Sequence, residues 1–125
     1  MTKLIVIALL LGAACSRETP PPTPAEQSTA ALPAGLLRVA DSSQVCMVNN
    51  QFMGVSQIPV VVQGRTYFGC CPDCKAKLET QPALRTAVDP VTGEPVDKAT
   101  AVIVQDGSGK VFYFASEDTL HRYRG

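Results

Sequence analysis

GRTYFGCCPDCKAKL, residues 64 to 78, holds a strand, a corner and the start of a helix. Arg65 to Gly69 is rich in β-branched and aromatic residues, and so is Ile58 to Gln63 before it. Two such runs around Gly64 predict a β-hairpin. Pro72 suits a first helical position, where its missing N–H has no helical partner to lose. Asp73 in the first turn, Ala76 and Leu78 behind it, and Pro82 beyond give that helix a start, a face and a stop. The corner therefore carries three cysteines, Cys70, Cys71 and Cys74. A cysteine at a hairpin's end and another four residues on, inside the first helical turn, can converge on one ion, and the distant Cys46 can close the site. Thiolates at a helix N-terminus also ionise more readily, because unpaired amides and partial positive charge stabilise the anion.

The pattern then repeats. GKVFYFASEDTLHRY, residues 109 to 123, matches residues 64 to 78 at an offset of 45: Gly64 falls on Gly109, Tyr67 and Phe68 on Phe112 and Tyr113, Cys70 on Ala115, Cys74 on Thr119 and Leu78 on Tyr123. Upstream, Cys46-Met47-Val48 aligns with Thr92-Gly93-Glu94 at an offset of 46. Such self-similarity points to duplicated supersecondary units. Thr100 to Gln105 and Lys110 to Ala115 flank Asp106-Gly107-Ser108-Gly109 as a second hairpin. Ser116 is a natural N-cap, followed by Glu117 and Asp118, with Leu120 and Tyr123 at apolar spacing. Pro82 to Val88 predicts a further short turn of helix before Asp89-Pro90. The expected fold is α+β: two ββα units, each a β-hairpin plus a helix, with residues 36–88 holding the cysteines and residues 89–125 a degenerate copy.

These residues resemble the TRASH and YHS families, small treble-clef-like metal-binding modules with one cysteine, a gap of about twenty residues, and an aromatic-rich strand ending in C-x3-C. DPVTGEPVD, Asp89 to Asp97, is similar to the YHS opening D-P-V-C-G-M, and FYFASEDTLHRY to its Y-Y-F-C-S-x-x-C segment. The resemblance covers Val45 to Arg124. It implies that Cys46, Cys70 and Cys74 ligate one ion, zinc or Cu(I), and that Thr92, Ala115 and Thr119 stand where the second unit's ligands would be.

Cys71 stays open as a fourth ligand, a redox partner or a small buried side chain. Asp73, His121 and a thiolate from a second molecule are the other candidates for a fourth position in a tetrahedral zinc site; three thiolates alone would suit Cu(I). Met47 and Met53 fit a core better than a thioether site, and His121 fits an exposed or satisfied histidine. Four cysteines in an exported domain also allow disulfides, with Cys46 to Cys70 or Cys74 the plausible bridge. Cys71-Pro72-Asp73-Cys74 is a C-x-x-C at a helix start, the pattern of thiol–disulfide oxidoreductases, although such a motif belongs in a βαβ context and hairpins precede the helices here. No G-x-S-x-G, phosphate-binding glycine loop or H-E-x-x-H occurs. Asp97, Asp106, Glu117 and Asp118 read as solvated turn and helix-start residues, and the expectation is a protein that is not an enzyme.

Working outward, the whole chain has 125 residues, eleven Lys plus Arg against eleven Asp plus Glu, and one histidine. A balanced charge gives no field for a phosphate backbone, so no nucleic-acid partner is expected, and one histidine excludes multi-histidine metal centres. Lys3, the apolar run Leu4 to Leu11 and the small residues Gly12 to Ala14 form a signal, residues 1–14, whose apolar run is too short to span a bilayer. Small residues before Cys15 resemble a bacterial lipobox, with Gly12 departing from the usual Leu. That implies lipidation at Cys15 and a membrane anchor, and Ser16 after it resembles lipoproteins sent to the outer membrane, facing the periplasm. Residues 15–35 carry Pro20, Pro21, Pro22, Pro24 and Pro33 and read as a tether, which in extended form could reach roughly 60 Å. The expected role is metal sequestration, sensing or trafficking in the cell envelope. The alternative is a disulfide-stapled lipoprotein that binds an envelope protein partner.

Overall fold

The computed structural model describes residues 31–125; the expected signal, Cys15 and most of the tether lie outside the described residues. The element order is β1 (Leu37–Arg38), a 3-10 turn (Ser42–Gln44), β2 (Val45–Cys46), β3 (Gln51–Phe52), β4 (Ile58–Val62), β5 (Arg65–Gly69), α1 (Pro72–Thr80), a second 3-10 turn (Pro82–Arg85), β6 (Thr86–Val88), β7 (Pro95–Asp97), β8 (Val102–Gln105), β9 (Val111–Phe114) and α2 (Glu117–Arg122). The fold is α+β, and every strand pair in it is antiparallel.

Each expected hairpin and helix is present. β4 pairs with β5 from Ile58 opposite Gly69 to Val62 opposite Arg65, closed by Gln63 and Gly64, both at positive φ (50° and 75°). Two consecutive left-handed residues give the turn whose twist matches the strands it joins. β8 pairs with β9, and Asp106 shapes the turn between them by accepting the N–H groups of Ser108 (2.8 Å) and Lys110 (3.1 Å). α1 starts at Pro72 and ends before Pro82, and α2 is capped by Ser116 with Thr119 closing the box. Each hairpin is preceded by a second, shorter one, β2–β3 and β6–β7, which hydrophobic periodicity did not predict. Strands of two or three residues hold too few alternations for that signal. The helical turn expected through Val88 stops at Arg85, where the β-branched Thr86 and Val88 enter β6 instead. β6–β7 thus straddles the division at residue 88.

The two units share a core. Val39, Val45, Met47, Val60, Tyr67 and Leu78 from the first pack with Ile103, Val111 and Tyr113 from the second. β8 is the middle strand of the sheet β1-β8-β9, and its neighbouring residues face opposite ways: Ile103 enters this core, while Val104 joins Phe114 and Leu120 in a smaller cluster. Backbone hydrogen bonds also cross between units. Phe52 donates to the Gly109 carbonyl (2.8 Å) and Val111 to that of Asn50 (2.9 Å), so the β2–β3 hairpin lies against the start of β9. Gly109 supplies the left-handed residue this junction needs, with φ at 83°, and leaves room for the end of the Gln51 side chain beside it. Lys98, almost wholly buried, reaches from beyond β7 to donate to the Met47 carbonyl (2.7 Å) and to Asn50 Oδ1 (2.8 Å).

Candidate metal centre

Three elements deliver one sulfur each. Cys46 ends β2, Cys70 follows β5, and Cys74 sits in the first turn of α1. Their Sγ atoms lie within 4.8 Å of one another, with Cys46 and Cys74 buried and Cys70 exposed. The hairpin register and the Pro72 helix start set the Cys70 to Cys74 separation of 3.6 Å. Gly69 sets how closely strand and helix approach, since a Cβ there would lie 2.9 Å from Cys74 Cβ, tighter than real side chains tolerate. The Met47 N–H donates to the Phe68 carbonyl (2.9 Å), tying the Cys46 segment to β5.

The sulfurs differ in how easily they ionise. Burial pushes the Cys46 thiol up, but hydrogen bonding from the Asn49 and Cys70 amides, the Cys70 thiol and the Val48 amide outweighs it and leaves Cys46 below the ordinary thiol value. Cys70 is pushed up to about 12, first by its hydrogen bonding to Cys46 and then by Cys74. Cys74 is raised by burial and by Cys71. Of the three, Cys46 gives up its proton most easily, and Cys70 and Cys74 hold theirs more tightly. A compact set of soft sulfur donors with one sulfur open to solvent can take a single soft or borderline cation. Lys98 lies beneath it; burial lowers its pKa to about 8, against the opposing pull of Cys46 charge.

Cys71 is not in this group. It is the N-cap of α1, and its sulfur points at Cys74 (3.3 Å). His121 lies on α2, with Nε2 4.0 Å from Glu117, and Asp73 pairs with Lys77, so neither belongs to the cysteine group. Met47 is buried in the core, whereas Met53, expected there too, is exposed. Asp97, expected to be solvated, instead accepts from Tyr67 Oη (3.0 Å), the Ala99 N–H (2.8 Å) and the Arg65 guanidinium. All four described cysteines are unbridged.

No family model matches the chain, and no curated protein or solved structure matches it either.

The second unit fills its centre from within. Hairpin register places Asp89, and not Thr92, opposite Cys46 of the first unit. Asp89 bonds Glu94 across β6–β7 as Cys46 pairs with Gln51, and the left-handed loop residues Asn50 and Gly93 share the same offset of 43. Asp89 is fully buried, and its carboxylate accepts the N–H groups of Val91 (2.8 Å), Thr92 (3.3 Å) and Ala115 (2.8 Å). Their counterparts in the first unit, the amides of Val48, Asn49 and Cys70, all lower Cys46. Burial pushes Asp89 up, yet the amides of Ala115 and Val91, the nearby Thr119 hydroxyl and the Thr92 amide together hold it below the usual carboxylate value. The sequence pairing of Cys46 with Thr92 is therefore off by three residues. The turn glycine, Gly93 against Asn50, was the signal that could have corrected it.

Proposed function

We propose that this protein is a metal-binding module of the bacterial cell envelope. It is anchored through a lipid on Cys15 and carries one zinc or Cu(I) ion on Cys46, Cys70 and Cys74 for sequestration, sensing or handover. The observation that carries the metal reading is the convergence of those three sulfurs within 4.8 Å from three separate elements. The resemblance of residues 45 to 124 to TRASH and YHS modules supports it, and the signal-like residues 1–14 before Cys15 support the envelope location. The exposed Cys70 favours exchange over purely structural zinc, because an incoming thiol can reach the ion there. Asp89 adds to this by giving the second unit a centre that needs no ion.

Native mass spectrometry of the reduced protein, reconstituted with zinc or with Cu(I), tests the proposal. One ion per chain, lost on denaturation and lost in Cys74→Ser, is the expected result. A protein that stays metal-free after reduction and reconstitution with either ion overturns it.

A further inference from the structure

Cys71 is the described cysteine that the ion site leaves over. Its sulfur donates to Cys74 Sγ at 3.3 Å and accepts the Cys74 N–H at 3.4 Å. Cys71 is half-buried while Cys74 lies beneath it, 5 % exposed. Capping alone does not call for sulfur at this place. The counterpart in the second unit is Ser116, with nearly the same backbone angles, whose oxygen takes the Thr119 N–H at 3.2 Å. Cys70 also approaches Cys74, at 3.6 Å, but its further hydrogen bond comes from the Asn49 side-chain amide at 3.9 Å, not from a helix amide. An outer sulfur that receives a helix N–H, over a buried second sulfur in contact with it, is the arrangement that thiol–disulfide exchange uses. The N–H stabilises negative charge on the outer sulfur both as it attacks and as it leaves.

We propose that Cys71 and Cys74 form a dithiol pair that reduces low-molecular-weight disulfides, and that closing their disulfide withdraws Cys74 from the ion. The second half of this rests on the metal reading; the first does not. The Cys71 thiolate attacks one sulfur of the small disulfide, that S–S bond breaks, and the first small thiolate leaves. The mixed disulfide on Cys71 is then attacked by Cys74, whose proton passes to solvent, and the second small thiolate leaves. Two protein thiols are oxidised to one disulfide, one small disulfide is reduced to two thiols, and the protons lost by the protein are regained by the leaving groups. An ion on Cys74 draws charge out of that sulfur and holds it in place, and closing the S–S bond means giving up the metal–sulfur bond, so ion and disulfide compete for Cys74.

The experiment takes the purified full chain, reduced and freed of metal, incubates it with oxidised glutathione, quenches with an alkylating agent and maps the products by mass. Wild type closes a Cys71–Cys74 disulfide. Cys74→Ser stalls with one glutathionyl group on Cys71. Preloading wild type with zinc slows closure by at least about tenfold, since the ion lowers the charge on Cys74 and its bond to that sulfur must break. A stalled adduct on Cys70, or a wild-type disulfide joining Cys70 to Cys74 or to Cys46, overturns the pair even if one zinc binds normally. Closure of Cys71–Cys74 in a protein that takes no zinc or Cu(I) overturns the metal reading and leaves the pair standing. Unchanged closure in zinc-loaded protein overturns the competition. Cys71→Ser, which copies Ser116, keeps its ion and loses the exchange.

Discussion

The two units wrap the same backbone around different centres. In the first, a short hairpin, a strand end and a helix start present three sulfurs; in the second, the same three elements present Asp89, Ala115 and Thr119. The amides that lower Cys46 have their counterparts in the amides that bond the Asp89 carboxylate. A carboxylate reaching its own loop, the next strand end and the next helix does internally what a cation does between separate sulfurs. The same backbone therefore accommodates a self-contained carboxylate in one unit and, in the other, a set of sulfurs that could hold an ion.

The largest effect expected from this comparison is a gain of a whole site. The combined variant Asp89→Cys, Ala115→Cys and Thr119→Cys should give the second unit its own thiolate set, read as a second zinc in native mass spectrometry; a stoichiometry unchanged from wild type would break the equivalence. Next is Asp89→Ala, which takes the acceptor away from the Val91, Thr92 and Ala115 amides. It should cost about 1–3 kcal/mol, read by urea unfolding of metal-free, reduced protein. A loss below about 1 kcal/mol would show that the carboxylate does not hold the second unit.

Acid should separate the centres. Ion binding at the first must displace protons from Cys70, pushed up to about 12, and from the raised Cys74, so affinity falls with pH by about tenfold per unit for each displaced proton. Asp89 has a depressed pKa, so its stabilisation is complete above its unfolded value and disappears only as pH falls through the lower folded one. Between pH 7 and about 5 the ion should leave while the fold stays, measured as metal retained on dialysis beside far-ultraviolet circular dichroism. Simultaneous loss of both would contradict the independence of the centres. The smallest effects belong to the two caps. Ser116→Ala should cost about 1 kcal/mol, whereas Cys71→Ser should change α1 by only a few tenths, in the stabilising direction, because a hydroxyl is the better acceptor. Thermal unfolding of the two variants side by side decides this.

Much of this was written in the chain. Gly64 between two β-rich runs, Pro72 after the cysteine pair and Ser116 before two acids each act through local backbone preferences, so both hairpins and both helices were legible, as was the meeting of Cys46, Cys70 and Cys74. The short hairpins, the burial of Lys98 and the place of Asp89 were not. The hairpins are too short to show a period, and the other two depend on contacts made across the chain: Lys98 with Met47 and Asn50, Asp89 with Ala115. Nothing in the residues next to Asp89 or Lys98 marks them for burial; segments far along the chain do that by closing around them.

The loop behind Cys46 hangs on Lys98 and on the start of β9, both supplied by the unit without cysteines. A descendant chain trimmed to its cysteine-bearing part would lose the supports that aim its first sulfur. The unit that gives the site no sulfur is thus part of what aims Cys46, and a change at Lys98 or at the start of β9 reaches the sulfurs from a distance.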